Sequence, residues 1–290
     1  MSSTLTPPVR PEYTREVETR IDVAVEQPLP WWQRAWQHDL LRQGLIVLAL
    51  AALWEAVARW TANDLLLPSF SQAARAFVDD IASGELTQRA AISLGLLVQG
   101  YALGVAGAFV LTALAVSTRI GRDLLATLTA MFNPLPAIAL LPLALLWFGL
   151  GNVSLLFVLV HSVLWPVALA AHSGFQSVPE TLRMTGRNYG LRGVSYVTHI
   201  LVPSALPSIL SGLRIGWAFA WRTLIAAELF FGASSGRGGL GWYIFQNRNE
   251  LYTDRVFAGL ATVILIGLLV ERLVFDGLAR VTVRRWGMSR

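Results

Sequence analysis

Six apolar segments alternate with polar stretches along this chain of 290 residues. Each apolar segment holds about 20 residues with few charges, the length that an α-helix needs to cross the hydrocarbon core of a membrane. The pattern predicts spans at about 40–60, 90–116, 123–148, 153–172, 205–231 and 256–278. The predicted fold class is therefore all-α integral membrane, with six transmembrane helices.

Polar segments flank this apolar region at both ends. Residues 1–38 combine five prolines with mixed charges, which predicts a disordered tail, and Trp31, Trp32 and Trp36 predict an interfacial end to it. No apolar run follows a basic start, so we expect no signal peptide. The predicted organisation is a tail (1–38), a membrane domain (39–280) and a basic C-terminal tail (281–290).

Composition limits the chemistry of the chain. Charged residues make up 14%, against about 25% in soluble domains. All 23 basic residues are Arg and there is no Cys, which excludes a phosphate-loop lysine, a Schiff-base lysine, a disulfide and a thiolate metal site. His161 and His172 lack metal-ligand spacing and are interpreted as structural. We expect no metal, no cofactor and no catalysis in this chain.

The arginines predict the orientation. Fifteen lie in the terminal segments and in the loops after the second and fourth spans, whereas six lie on the opposite side. Cytoplasmic loops carry the basic excess, so both termini are expected in the cytoplasm. This bias explains the basic balance of the chain without a nucleic-acid partner.

Three local patterns precede the third span. Ser69 or Ser71 could cap a short surface helix at 71–82, and Glu55 and Arg59 have the spacing of a helical ion pair. Glycines recur near four-residue spacing in the second span, at 95, 100, 104 and 107, which permits close helix contact in lipid.

Prolines interrupt the third span at Pro134, Pro136 and Pro142. A proline frees a carbonyl that a neighbouring helix or water must satisfy, so a broken helix at mid-membrane could line a path. Asn133, Pro134 and Pro136 are therefore candidates for the translocation path. A kink needed only for packing is the equally open alternative.

The fifth span carries Arg222 and Glu228. A charge at mid-bilayer costs at least about 2.5 kcal/mol and usually has a function. The two residues are six apart and do not share a helix face, so each is expected to have its own partner. Our hypothesis is that Arg222 faces a translocation path and meets an anion, because its planar fork suits a sulfonate, carboxylate or nitrate. The open alternative is a salt bridge, or a side chain that snorkels to a backbone carbonyl. Glu228 is the second path candidate.

Residues 179–203 form a polar, amphipathic stretch between the fourth and fifth spans. Pro179 and Glu180 suit the start of a helix, Gly190 suits a turn, and Pro203 ends the second half or opens the next helix. Such a stretch is typical of an interfacial helix lying on the membrane, or of a docking element.

This stretch resembles the coupling loop, or EAA motif, of ABC importer permeases. Glu180, Gly190, Ile200 and Pro203 match its acidic residue, its glycine ten residues later and its Ile-x-x-Pro end. The segments NPLPAIALLPLALLWFGLGN and AAELFFGASSGRGGLG are similar to the subfamily for nitrate, taurine, alkanesulfonates and bicarbonate. The resemblance covers roughly residues 65–280. Thr181 departs from the family's Glu-Ala-Ala opening, so the usual small residues of the docking helix are partly lost.

The resemblance implies a type I ABC importer permease in the bacterial inner membrane. Expected partners are a second permease chain in a homodimer, two ATPase subunits that carry ATP and magnesium, an external solute-binding protein, and membrane lipid. The resemblance implies a small anion as cargo, with a neutral heterocycle as the open alternative, since relatives of this type also carry such compounds. The residues that the motif assigns to ATPase coupling are Glu180, Thr181, Arg183, Met184, Arg187, Tyr189, Gly190, Leu191, Ile200 and Pro203.

Two other classes of function compete with this one. An ion-coupled secondary transporter would use Arg222 and Glu228, although the sequence has no inverted repeat and two isolated charges make a poor relay. A membrane-embedded enzyme ranks last, because no acids, bases or metal ligands cluster inside the spans.

Overall fold

Helices make up nearly all of the computed structural model, which describes residues 39–231 and 238–284. No β-strand occurs within those residues, and the all-α prediction is confirmed. In chain order the helices are α1 (Asp39–Thr61), α2 (Phe70–Ala82), α3 (Glu85–Ser117), α4 (Arg119–Phe132), α5 (Leu141–Phe148), α6 (Asn152–Gln176), α7 (Glu180–Asn188), α8 (Gly193–Tyr196), α9 (Val202–Phe231), α10 (Leu240–Asn249), α11 (Thr253–Val270) and α12 (Asp276–Ala279). A 3-10 turn precedes α5, and π-helical turns follow α8, α11 and α12 (Ala137–Leu140; Val197–Leu201, Glu271–Phe275, Arg280–Arg284).

The chain divides into two units, residues 1–50 and residues 51–290. In the first unit the described part is the start of α1, whose side chains are all exposed and where Arg42 pairs with Asp39. The predicted tail, 1–38, lies outside the described residues, as do its tryptophans. The rest of α1 and all later helices belong to the second unit.

Five continuous helices of the described chain are long and apolar enough to cross a membrane. They are α1, α3, α6, the helix Val197–Phe230 and the helix Thr253–Thr282. A sixth candidate consists of α4 and the segment Ala137–Phe148, which pass the same test together although they meet at 88°. Counting this bent pair as one span confirms the predicted number of six.

The third span is broken at Asn133–Pro136, between α4 and the 3-10 turn. Pro134 and Pro136 supply no backbone N–H to the helix ladder and their rings crowd the preceding turn, so α4 cannot continue past Asn133. Pro142 was also predicted to interrupt the span, but it does not. It lies in the first turn of α5, where a missing N–H costs nothing.

Helix α6 is packed between α3 and α9 through glycines. A Cβ atom at Gly100 of α3 would lie 2.6 Å from the Leu159 Cβ, and one at Gly104 would lie 2.7 Å from the Val163 Cβ. On the other side, a Cβ atom at Gly212 of α9 would lie 2.5 Å from the Ala170 Cβ. Such close approach lets helix backbones touch in lipid, where no hydrophobic effect draws them together.

The amphipathic helix α2 starts as predicted. Ser69 is its N-cap and forms a capping box with Gln72, so the first of the two candidate serines is the cap. The second candidate, Ser71, instead donates its hydroxyl to Glu55 at 3.1 Å. Glu55 also pairs with Arg59 at 2.7 Å, which confirms that predicted ion pair.

The last helix continues past its predicted end near residue 278. The π-helical turns carry it to Arg284, so the described structure shows no break at the predicted boundary after residue 280. Residues 285–290 lie outside the described residues. On this helix Glu271 and Asp276 bind Arg214 of α9, at 3.1 and 2.7 Å.

Candidate functional site

The stretch 179–203, here called the coupling segment, folds as a helical hairpin at one end of α6 and α9. Helix α7 begins at Glu180, with Pro179 as the N-cap residue in an extended conformation. The carboxylate of Glu180 lies in the first turn, where the helix dipole favours negative charge. The predicted helix, glycine turn and return helix are all present.

Arg183 anchors α7 to the end of α6. Its guanidinium donates to the carbonyl oxygens of Phe175 and Val178, at 2.6 and 3.1 Å, and its Nε lies 3.9 Å from the carboxylate of Glu180. The last carbonyls of a helix have no partner within the helix, so an arginine that binds them fixes the chain that follows. The motif marked Arg183 as a coupling residue, but only the fold reveals this anchoring.

The turn after α7 is a Schellman motif. The N–H of Leu191 donates to the carbonyl of Gly186 at 3.0 Å, and the N–H of Gly190 donates to that of Arg187 at 2.9 Å. Gly190 has φ +76°, as a residue at this position requires. A second left-handed glycine, Gly193 with φ +55°, was not anticipated from the sequence.

Gly186 lets α7 pack against the return half of the segment. A Cβ atom here would lie 2.9 Å from Ile200 Cγ1 and 3.1 Å from Tyr196 Cε2. Gly186 therefore faces this chain's own return helix. Pro203 is the second residue of α9 and lies inside the continuous helix Val197–Phe230, so the chain passes through this position without ending one helix or opening another.

The outward face of α7 carries apolar and charged side chains side by side. Tyr189 is 83% exposed and Met184 49% exposed. The other exposed side chains of this face are those of Glu180, Thr181, Leu182, Thr185, Arg187 and Asn188. An exposed patch of this kind, held on a rigid hairpin, is typical of a protein-interaction surface.

A cavity of ≈ 390 Å³ lies at the break in the third span. Its walls come from the break itself, from α6 and from α9, and they include Asn133, Pro134 and Pro136 together with Arg222. The structure thus brings together four of the five predicted path residues. The volume lies within the range of small-molecule sites, about 300–1,000 Å³.

Arg222 enters this cavity without a counter-ion. Its side chain is exposed, and among the described residues no carboxylate forms an ion pair with it. Its guanidinium carbon lies 6.0 Å from the centre of the Phe219 ring. Arg214, two turns earlier on α9, is bound by two carboxylates instead.

His161 lines the same cavity. Trp165 Nε1 donates to His161 Nδ1 at 3.1 Å, so the neutral imidazole carries its hydrogen on Nε2. That nitrogen is buried and makes no hydrogen bond of normal geometry, although the carbonyls of Phe132 and Leu135 lie near the ring. The sequence suggested a structural histidine, since no pattern connected position 161 with the broken span.

Glu228 lies elsewhere. Its buried carboxylate accepts from the Ser93 hydroxyl at 2.8 Å and from the N–H of Gly241 at 2.8 Å. It therefore binds the N-terminus of α10, where backbone donors and the helix dipole favour a carboxylate. Gly239 must be glycine here, since a Cβ atom would lie 2.2 Å from Glu228 Oε1. Glu228 does not line the cavity of Arg222.

A second buried carboxylate fixes the helices beside α10. Asp80 of α2 accepts a hydrogen bond from the Tyr243 hydroxyl and lies 3.7 Å from Arg255 Nε. Burial and the Asp80 carboxylate raise the pKa of Tyr243 well above its ordinary value, so this hydroxyl remains a donor.

Comparison with known proteins supports this description. A family model described as binding-protein-dependent transport system inner membrane component matches residues 100–287. A putative ABC transporter permease of Methanocaldococcus jannaschii is 30% identical over 80% of this chain and 87% of its own. In Escherichia coli, a putative aliphatic sulfonates transport permease is 31% identical (77% and 84% covered), and a taurine transport system permease is 29% identical (87% and 94% covered).

The family match covers more than half of the chain, and the relatives extend it over most of α1 to α12. The predicted subfamily, that of the nitrate, taurine and sulfonate type, is confirmed. Permeases of this family work with ATPase and binding-protein components in a membrane. The chain belongs to the family of binding-protein-dependent transport system inner-membrane components, the permease subunits of ABC importers.

Proposed function

We propose that this chain lines half of the path by which an ABC importer takes up a small organic sulfonate or a related monoanion. The observation that carries the proposal is the connection between the two candidate sites. The coupling segment continues through the π-helical turn Val197–Leu201 into α9, and α9 carries Arg222. Arg222 follows Leu201 by 21 positions, which corresponds to about 30 Å of helix at about 1.5 Å a residue.

ATPase docking falls on the outward face of α7. Glu180, Thr181, Met184, Arg187 and Tyr189 are exposed there, on a hairpin that Arg183 and the Schellman turn keep rigid. When ATP closes the two ATPase subunits, they displace α7. Because α7 packs through Gly186 on the start of the long helix, its displacement moves α9 as a lever.

Arg222 and His161 supply the binding chemistry for an anion. A guanidinium presents a planar fork of donors that matches two oxygens of a sulfonate, and the Nε2–H of His161 can donate to a third. The relatives named for aliphatic sulfonates and for taurine support this class of cargo. Asn133 lies in the wall of the same cavity, and the rest of that wall is mostly apolar.

The assembly contains two copies of this chain, two ATPase subunits and an external solute-binding protein, in the bacterial inner membrane. Both termini and the coupling segment face the cytoplasm, on the side of the fifteen arginines. No nucleic acid takes part, ATP and magnesium stay on the ATPase subunits, and this chain catalyses no reaction.

The test is uptake of radiolabelled taurine and ethanesulfonate by proteoliposomes that contain the whole complex, with the binding protein outside and ATP inside. Tyr189→Asp places a charge in the docking face, and Ser195→Asp places the same charge in the exposed return half as a matched control. We expect Tyr189→Asp to lose the ATPase in a mild-detergent pull-down and to abolish uptake, and Ser195→Asp to retain both. Uptake driven by an ion gradient without ATP would contradict the proposal.

A further inference from the structure

A small basic cavity lies between the coupling segment and the ends of α3 and α6. Its volume is ≈ 100 Å³, and its polar lining consists of Arg122, His172, Gln176 and Arg183. The remaining wall is apolar and includes Val116 and Leu201. It is separate from the Arg222 cavity, with which it shares no lining residue.

The two arginines differ in how their charge is used. Arg122 stands in the first turn of α4, exposed, and no carboxylate of the described chain forms an ion pair with it. Arg183 binds two backbone carbonyls and has one acidic neighbour, Glu180, at 3.9 Å. That carboxylate is 62% exposed and offsets little of the charge. The cavity therefore keeps a positive balance.

His172 supplies an unused N–H group. The side-chain nitrogen of Gln176 lies 2.9 Å from His172 Nε2, and an amide nitrogen can only donate, so Nε2 accepts. The neutral imidazole then carries its hydrogen on Nδ1, which is buried and has no hydrogen-bond partner among the described residues. A donor buried without a partner costs free energy that a bound acceptor would recover.

We propose that this cavity binds a phosphate group, held by Arg122 and Arg183 and by the Nδ1–H of His172. Three donor side chains in the wall of one small cavity, two of them cationic, suit the several oxygens of a phosphate. The group can belong to the headgroup of an anionic phospholipid or to free phosphate. The position favours the lipid, since the cavity lies at the ends of two membrane helices, α3 and α6, and has an apolar wall.

A bound phosphate would connect α4 to α7, because Arg122 belongs to the first and Arg183 to the second. It would thereby stabilise the hairpin on which the ATPase is proposed to dock. Binding itself does not depend on the proposed function, whereas an effect of the lipid on transport does.

The test measures binding and transport separately. The full-length chain in mild detergent is mixed with phosphatidylglycerol, with phosphatidylcholine of the same acyl chains, or with inorganic phosphate, and bound lipid is counted by native mass spectrometry. Thermal unfolding midpoints are recorded on the same samples. The variant is Arg122→Gln, and the matched control is Arg119→Gln, one turn away on α4 and outside the cavity.

We expect phosphatidylglycerol to bind to and stabilise the wild type and Arg119→Gln, and to bind roughly tenfold more weakly to Arg122→Gln, as loss of one charge-assisted contact implies. Equal binding to both variants, or no preference over phosphatidylcholine, would overturn the proposal. Stabilisation by inorganic phosphate alone, dependent on Arg122, would support the phosphate site and overturn its assignment to lipid. ATP-driven uptake is measured in the proteoliposomes described above. Absence of that uptake in the wild type, with lipid binding intact, would count against the proposed function and not against this site.

Discussion

The same substitution is expected to change the stability of the chain in opposite directions at the two arginines of α9. Arg222 faces a cavity without a counter-ion, whereas Arg214 is held by Glu271 and Asp276. Replacing Arg222 by Gln removes a charge that nothing in the described chain neutralises. Replacing Arg214 by Gln leaves two carboxylates without their cation.

The magnitudes follow from these surroundings. A charge inside a membrane helix costs about 2.5–3.5 kcal/mol, less where water reaches it, so Arg222→Gln should leave stability unchanged or raise it by up to about 2.5 kcal/mol. The side chains of Arg214, Glu271 and Asp276 are each about 40% exposed. An ion pair at this depth should contribute an amount between those of exposed and fully buried pairs, so Arg214→Gln should lower the free energy of unfolding by about 1–3 kcal/mol. A lost charge-assisted hydrogen bond to the cargo, about 1.5–3 kcal/mol, predicts a fall in kcat/KM for sulfonate uptake of about 10- to 150-fold for Arg222→Gln.

Stability would be read from thermal unfolding in detergent, and transport from initial rates of uptake at several taurine concentrations. Arg222→Lys keeps the charge without the fork and should recover part of the rate. If Arg222→Gln destabilises the chain as much as Arg214→Gln does, or transports taurine at the wild-type rate, Arg222 is a structural residue and the reasoning is refuted.

Three further predictions concern the framework around these sites. Gly186→Val places side-chain atoms against the return helix, so it should reduce ATP-driven uptake at least tenfold while the amount of protein in the membrane stays unchanged. Uptake at the wild-type rate would show that α7 does not need this close approach. Glu228→Ala leaves the Ser93 hydroxyl and the Gly241 N–H buried without an acceptor, so it should lower the free energy of unfolding by about 2–4 kcal/mol. The exposed control Glu250→Ala should lower it by less than about 0.5 kcal/mol. Equal thermal midpoints for the two variants would show that Glu228 does not stabilise the fold. The pKa of Tyr243 is raised in the folded chain. Above its ordinary pKa near 10, the unfolded chain therefore releases the phenol proton while the folded chain keeps it. The free energy of unfolding should fall as the pH rises above about 10, and it should fall less steeply in Tyr243→Phe.

Much of the framework was predictable because it depends on neighbours in the chain. The Ser69 cap needs only Gln72 three residues later, and Gly190 needs only the end of its own helix. The break at Pro134 follows from the proline ring itself. The ordered motif also indicated the coupling segment, and the family match confirms the class of protein.

The candidate sites were predictable only in part. Arg222 stood out because a charge in an apolar span is costly, and the structure places it beside Asn133 at the break. His161 has no unusual neighbours in the sequence and joins the cavity only because α6 packs beside the broken span. Glu228 has the same kind of sequence signal as Arg222, yet it binds Ser93 and α10.

Sequence by itself predicted the number of spans, the break at Pro134 and the glycine turn of the coupling segment, whereas the docking of a partner on that segment stays a prediction. Apolar length, proline chemistry and helix-end rules act over a few residues and need no knowledge of packing. Only the tertiary structure decided which buried groups meet: Ser93 binds a carboxylate 135 residues away, and Asp80 binds a hydroxyl 163 residues away. Such contacts arise from the packing of helices that the chain order separates, so the roles of Glu228 and Tyr243 could not be predicted before the helices were in place.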